Sequence, residues 1–350
     1  MERISDFRSD TITLPTPAMR QAMMNAAVGD DVAGEDPTVR ELERRAAERI
    51  GKEAALFVTS GTQGNLVAVL THTNKGDEVI LEAESHIFYY EVGGMSALAG
   101  VIPRPVPGKD GVLSPDLIHG ALRGDNIHFP KSTLLCLENS HNRGGGAIWS
   151  VSETEAACAV AKAAGLRVHL DGARIFNAAL AQGCDVKQLA APVDSVMFCL
   201  SKGLGAPVGS ILAGSSEFIS RARKWRKMLG GGMRQAGVLA AAGLTALNDM
   251  VDRLIEDHVL AGKIGRALAV IPGLSVELES LRTNIVVAQI DQAWGSAERF
   301  LTLLRQEGVM GTDFGPQTAR FVTHKDVGEE DAEKLIAAVR KVMSSDGLGV

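Results

Sequence analysis

Four short segments of this chain carry residue types whose order suits chemistry at a carbonyl. The first is Ser201-Lys202-Gly203-Leu204-Gly205, directly after an apolar run. A lysine at a strand end, followed by glycines, can present its amine to a carbonyl group with the backbone close by. Imine formation needs a neutral amine, which burial favours. Taken alone, one lysine in a turn is most often a surface residue. The second segment is Leu170-Asp171-Gly172-Ala173-Arg174, also after an apolar run. A carboxylate there could keep a pyridine nitrogen protonated and make the ring an electron sink; an aspartate at this position is equally a helix N-cap. The third is Thr59-Ser60-Gly61-Thr62-Gln63-Gly64-Asn65. A glycine-rich turn into a helix offers free N–H groups and the positive end of the helix dipole to a phosphate, and Thr62 adds a hydroxyl. The fourth is Glu84-Ser85-His86-Ile87-Phe88-Tyr89-Tyr90, where both tyrosines of the chain stand together and His86 could stack on a pyridine face. The four features converge on pyridoxal 5′-phosphate (PLP).

These residues must be positioned by strands. The apolar pattern predicts strands at 54–58, 78–81, 101–105, 133–137, 167–170, 195–200 and 210–213. Alanine-rich segments with helical spacing, such as 153–164, lie between several of them. Strands separated by helices imply βαβ units and a largely parallel sheet. Such sheets bind ligands beyond the carboxyl ends of their strands, which is where the four segments fall. Asp171 and Lys202 are one βαβ step apart, so they come to neighbouring strand ends. A helix over about 239–257 is expected to link two domains. Runs at 274–278, 283–290 and 320–323, with helices near 295–306 and from 329, suit a small α+β domain. The expected organisation is an N-terminal arm over 1–15, a large domain over 16–249 and a small domain over 250–350.

Composition narrows the rest. With 45% hydrophobic and 22% charged residues, the 350-residue chain is neither disordered nor fibrous. The net charge is −6, and no basic tract is interleaved with aromatics, so nucleic acid is excluded as a partner. The densest basic run, Arg221, Arg223, Lys224, Arg226 and Lys227, reads as a solvated helix face on composition alone. Cys136, Cys158, Cys184 and Cys199 have no metal-ligand or redox spacing, which fits reduced thiols in a cytoplasmic protein. No apolar stretch is long enough for a membrane span, and no metal site is expected. The glycine-rich turn is neither GxGxxG nor GxxxxGK[ST], so dinucleotide and P-loop readings are disfavoured.

Ten stretches in order then resemble the low-specificity L-threonine aldolases: RSDTITLPTPAM (8–19), GDDVAGEDPTV (29–39), SGTQGNLVA (60–68), SHIFYYEVGG (85–94), IHF (127–129), LENSHN (137–142), HLDGARIFNA (169–178), LSKGLGAPVGS (200–210), RKMLGGGMRQ (226–235) and RFVTH (320–324). The resemblance implies an α/β chain of PLP fold type I, like aspartate aminotransferase. Its large domain would carry a mostly parallel seven-stranded sheet flanked by helices, beside a smaller C-terminal α+β domain. It implies Lys202 as the Schiff-base lysine, Asp171 at the pyridine nitrogen and Arg174 at the phenolic oxygen. It also implies His86 on the cofactor ring, and Gly61, Thr62 and Ser201 at the phosphate. Ser9 and Arg320 would clamp the substrate carboxylate, with Tyr90 in the substrate pocket and His128 near the substrate side chain. Lys227 and Arg234 would be lent to the phosphate of a neighbouring subunit in a homotetramer built from dimers.

The activity so implied is retro-aldol cleavage of L-threonine, L-allo-threonine and related β-hydroxy-α-amino acids to glycine and an aldehyde, and its reverse. His86 and His128 are the candidate bases. The alternatives are β-elimination or racemisation on the same fold, and a PLP-binding module without activity.

Overall fold

The computed structural model describes residues 3–345. The chain enters through a short strand, β1 (Ser5–Asp6), followed by a turn of 3-10 helix at Asp10–Ile12. The large sheet is built from β2 (Ala54–Val58), β3 (Glu78–Glu82), β4 (Ile102–Val106), β5 (Ser132–Glu138), β6 (Arg167–Asp171), β7 (Ser195–Cys199) and β8 (Ser210–Gly214). Its spatial order is β2-β8-β7-β6-β5-β3-β4, and only β8 runs antiparallel to its neighbours. All seven strands fall where the apolar runs predict them. Strands β3, β7 and β8 are buried along their whole length. A strand covered on both faces reads as a continuous apolar run, which is why these segments stand out in the sequence.

Helices pack on both faces. Ser60 caps the helix Gly61–His72 by accepting the Gln63 N–H, and Ser150 caps Val151–Ala163 in a capping box with Glu153. One core joins the sheet to its outer helices through Leu135, Leu137, Val168, Leu170, Val196, Phe198 and Trp149. Full burial of each large apolar side chain contributes about 1.5–3 kcal/mol.

The C-terminal sheet has four strands in the order β12-β13-β10-β9: β9 (Leu274–Ser275), β10 (Ile285–Ile290), β12 (Thr312–Gly315) and β13 (Thr318–Val322). It packs on the helices Leu254–Leu268, Ala297–Gln306 and Glu329–Ser345 around Phe300, Phe321 and Leu335. The strand between, β11 (Val309–Met310), pairs in parallel with β1, and Phe7 packs into this same core. The N-terminal segment is therefore anchored on the C-terminal unit and crosses to the large sheet immediately before the site.

One element differs from expectation. The single helix over 239–257 is two helices, Gly237–Asp249 and Leu254–Leu268. The first helix ends on Asn248 and Asp249 and the break carries Val251 and Asp252, residues with weak helix propensity, with Met250 and Val251 buried at the turn.

Candidate active site

The register of the large sheet brings the four sequence segments to one edge. Glu138 pairs with Asp171, and Asp171 with Met197. Val58 and Cys199 both pair with Ser210, so the ends of β2 and β7 flank the start of β8. Thr59–Gly61, Asp171 and Leu200–Lys202 therefore leave the sheet on the same side. The turn after β7 is closed by Gly205 N–H to the Lys202 carbonyl at 2.9 Å and Ala206 N–H to the Leu200 carbonyl at 3.0 Å. Gly205 has a φ of +76°, a conformation that favours glycine. Gly172 is required for a different reason: a Cβ there would lie 2.9 Å from the Met197 carbonyl oxygen.

A cavity of about 330 Å³ opens beyond these strand ends. It is lined by Ser9, His86, Tyr90, Arg174, Lys202 and Arg320, with Asn142 and Phe314 on its wall. The structure thus brings six of the expected residues together. Asp171 lies beneath it, buried at the end of β6, with Oδ1 accepting from Ala173 N–H and Oδ2 from Asn65 Nδ2. Ser60 uses its side chain on Gln63, and Gln63 turns its own carbonyl oxygen to Thr59 N–H. Gly61 and Thr62, at the first helical positions, have no intrahelical acceptor for their N–H groups.

The cationic groups of the cavity differ in their partners. Arg174 is held in a fork by Asp10, Nε to Oδ2 and Nη2 to Oδ1, both at 2.7 Å. Asn284 adds a bond to Asp10 Oδ2 at 3.3 Å. Burial opposes the charge on Asp10, but Arg174 and Lys202 outweigh it and hold its carboxyl far below the usual range. Arg320, by contrast, has no carboxylate partner among the described residues. It donates to Asn142 Oδ1 at 2.8 Å and to the Arg8 carbonyl at 3.3 Å, stacks on Phe314 at 4.9 Å, and leaves Nε without a partner. Burial, together with the charge of Arg174, pushes its guanidinium down to about 10.

His86 sits on a one-turn helix whose first N–H is taken by Glu138 Oε2 at 2.6 Å. Its Nδ1 bonds Glu91 Oε1 at 2.9 Å, which leaves Nε2 for the cavity. Burial disfavours the imidazolium, but the Glu91 bond and the charge of Asp171 outweigh it, so the His86 pKa is raised. Glu91 itself is raised by burial and by Asp171. Tyr90 lies 5.4 Å from the His86 ring, and its hydroxyl accepts from Arg143 Nη1 at 3.1 Å.

Six other expected residues do not line this cavity within one chain: Gly61 and Thr62 lie at the start of the helix after β2 and Ser201 in the turn after β7, while His128, Lys227 and Arg234 lie elsewhere. His128 is exposed on the loop between Ile127 and Phe129, themselves 96% and 47% exposed. Lys227 and Arg234 are exposed, and Arg234 is held by Asp30 at 2.8 Å. The basic helix is also less solvated than its composition suggests. Arg226 is buried, donating to Asp31 Oδ2 and the Phe57 carbonyl. Sequence reasoning missed Asp10, Asn65, Glu91, Asn142 and Phe314. The first four stand inside the matched stretches and could have been singled out there; Phe314 carries no such signal.

These residues fit PLP: a lysine amine, an imidazole and an arginine that lacks an anion line one cavity above a buried acid, and a helix N-terminus leaves the same side of the sheet. Fold and site define a PLP-dependent lyase of fold type I. The beta-eliminating lyase family model matches residues 6–291. A probable low-specificity L-threonine aldolase 2 from Arabidopsis thaliana is 45% identical, covering 98% of each chain. The low specificity L-threonine aldolase of Escherichia coli strain K12 is 42% identical, over 97% of this chain and 99% of its own. Among solved structures, a Leishmania major threonine aldolase aligns with a TM-score of 0.83 at 20% identity, over 97% of this chain and 99% of that one. The chain belongs to the beta-eliminating lyase family, and within it to the low-specificity L-threonine aldolases.

Proposed function

We propose that this chain cleaves L-threonine, L-allo-threonine and related β-hydroxy-α-amino acids to glycine and an aldehyde, and runs the reverse addition. The observation that carries the reading is Arg320, a largely buried guanidinium without an anion, facing the same cavity as Lys202 and His86. Lys202 would anchor the cofactor's carbonyl carbon, Asp171 its ring nitrogen, Arg174 its phenolic oxygen, and Gly61, Thr62 and Ser201 its phosphate. When bound, PLP supplies an electron sink for the bond broken at Cα.

The chain's own residues do the rest. Arg320 binds the substrate carboxylate, and its planar fork fixes that group's orientation. The Ser9 hydroxyl oxygen already accepts from Thr11 N–H and Thr11 Oγ1, so its own proton is free for the second carboxylate oxygen. Two fixed oxygens would set which substrate Cα bond is presented for cleavage. His86 Nε2, left free toward the cavity, would accept the proton of the β-hydroxyl, and Glu91 on Nδ1 would stabilise the imidazolium that forms. Tyr90 borders the space for the β-substituent.

A homotetramer of paired dimers is the proposed assembly. Its support is the exposure of Lys227, Arg234 and the Ile127–Phe129 loop, which places all three where a neighbouring subunit could reach them. A cytoplasmic location is supported by four free thiols, three of them buried. No helix among the described residues is long and apolar enough to cross a membrane. The decisive experiment is product analysis of PLP-loaded protein with threonine. Acetaldehyde and glycine in equal amounts are expected. Ammonia with a 2-oxo acid would assign β-elimination instead, and D-allo-threonine, the product of inversion at Cα alone, would assign racemisation.

A further inference from the structure

Asp171 and Glu91 are buried carboxylates that share one donor. Asn65 Nδ2 gives one proton to Asp171 Oδ2 and the other to Glu91 Oε1, each at 2.8 Å. A ring nitrogen of His86 and a carboxylate oxygen each of Glu91 and Asp171 all lie within 4.8 Å of one another. Like charges at that separation destabilise each other, and the two N–H groups of Asn65 offset this.

The orientation of Asn65 is set from behind. Its Oδ1 faces His169 Nε2 at 3.0 Å, His169 Nδ1 faces Ser195 Oγ at 2.8 Å, and Ser195 Oγ faces His72 Nε2 at 2.7 Å. A carboxamide oxygen only accepts, so His169 carries its proton on Nε2. Burial pushes His169 down to about 4 and His72 down to about 3, so both rings are neutral. His169 Nδ1 then accepts from the Ser195 hydroxyl, whose oxygen accepts from His72 Nε2–H. His72 is itself stacked on Phe218 with ring centroids 4.4 Å apart. A flipped Asn65 would aim its oxygen at two carboxylates, so one arrangement satisfies every group.

We propose that Asn65 is a positioning residue: its carboxamide, locked by His169, Ser195 and His72, holds Asp171 and Glu91 together and couples the ring-nitrogen partner to His86. The proposal rests on the reading of Asp171 and His86 given above. His86 is faced by Glu91 on its own segment, Asp171 from β6, Lys202 from the turn after β7 and Glu138 from β5, with Tyr90, Arg174 and Arg320 lining the same cavity. Without the Asn65 donors, the His86, Glu91 and Asp171 group binds its proton more tightly, as one coupled unit.

The test uses PLP-loaded Asn65→Ala and Asn65→Asp. The readouts are the pH profile of kcat/KM for threonine and the pH titration of the holoenzyme's visible absorbance. The acid limb of kcat/KM is expected to move up by about one pH unit in Asn65→Ala. It should move further in Asn65→Asp, which adds a negative charge, and the absorbance midpoint should move the same way. An asparagine with only a structural role would lower activity evenly and leave both midpoints in place, and that result overturns the proposal. Should neither variant fold, Ser195→Ala removes the donor that fixes the His169 tautomer. A smaller upward shift is then expected, and an unmoved midpoint again overturns the idea. A visible band that forms in every variant keeps the cofactor assignment intact whichever way the midpoints fall. Failure of the wild-type protein to form one would overturn that assignment instead.

Discussion

Replacing Arg320 by methionine should remove catalysis while leaving the protein as stable as before, or slightly more so. The guanidinium is depressed from its ordinary range to about 10 by burial and by Arg174. That difference corresponds to roughly 3 kcal/mol of destabilisation of the charged form. For a base whose folded value is lowered, the penalty is fully present below the folded value, so it acts at neutral pH, and it fades only as the pH rises past both values. Methionine removes the charge and keeps an unbranched side chain against Phe314. It also loses the bonds to Asn142 and to the Arg8 carbonyl, at about 1 kcal/mol each. The two effects nearly cancel, leaving the variant within about 1 kcal/mol of the parent. Substrate binding responds differently. Loss of a charge-assisted pair to the carboxylate removes about 2–3 kcal/mol, which lowers kcat/KM by roughly 30- to 150-fold before any loss of orientation. Thermal melting with and without glycine separates the terms, because glycine carries the carboxylate but no β-substituent. Glycine should raise the melting temperature of the parent and not of the variant. A variant destabilised by more than ~3 kcal/mol, or one that glycine still protects, would refute the reasoning.

Lys202→Ala should abolish both turnover and the visible absorbance of the cofactor–protein linkage; a fully active variant would overturn the assignment of the anchoring amine. His86→Ala and His128→Ala should change the ratio of threonine to allo-threonine cleavage in different senses, if two imidazoles reach the β-hydroxyl from different sides. An unchanged ratio in both variants removes His128 from the reaction and leaves its loop a surface feature. Asp10→Asn should cost about 3–5 kcal/mol, because it leaves the buried Arg174 charge without its partner. The Asp10 carboxyl is depressed in the folded protein, so its contribution is present above the unfolded value near 3.8 and is lost as the pH falls below it. The parent should therefore lose stability in acid more steeply than Asp10→Asn, as read by urea midpoints across that range.

The sequence by itself determined the scaffold and the chemical groups on it. Strands buried on both faces read as continuous apolar runs, which makes β3, β7 and β8 stand out in a linear reading, whereas β4 is partly exposed along its length. Residues that leave the carboxyl ends of parallel strands share one edge, so Lys202, Asp171 and the Gly61 turn could be placed together before any coordinates. Tertiary structure decided the partners. Asp10 and Arg174 are far apart in the chain, and only the crossing of the N-terminal segment from β11 to the large sheet joins them. Arg320 and Phe314 come from the C-terminal unit, and nothing local marks Phe314 as a wall of the cavity. The relay from Asn65 through His169 and Ser195 to His72 links β6, β7 and both ends of one helix. Periodicity reports which face a residue occupies. It does not report which donor meets which acceptor across strands, and that pairing sets the charge and the tautomer of each buried group.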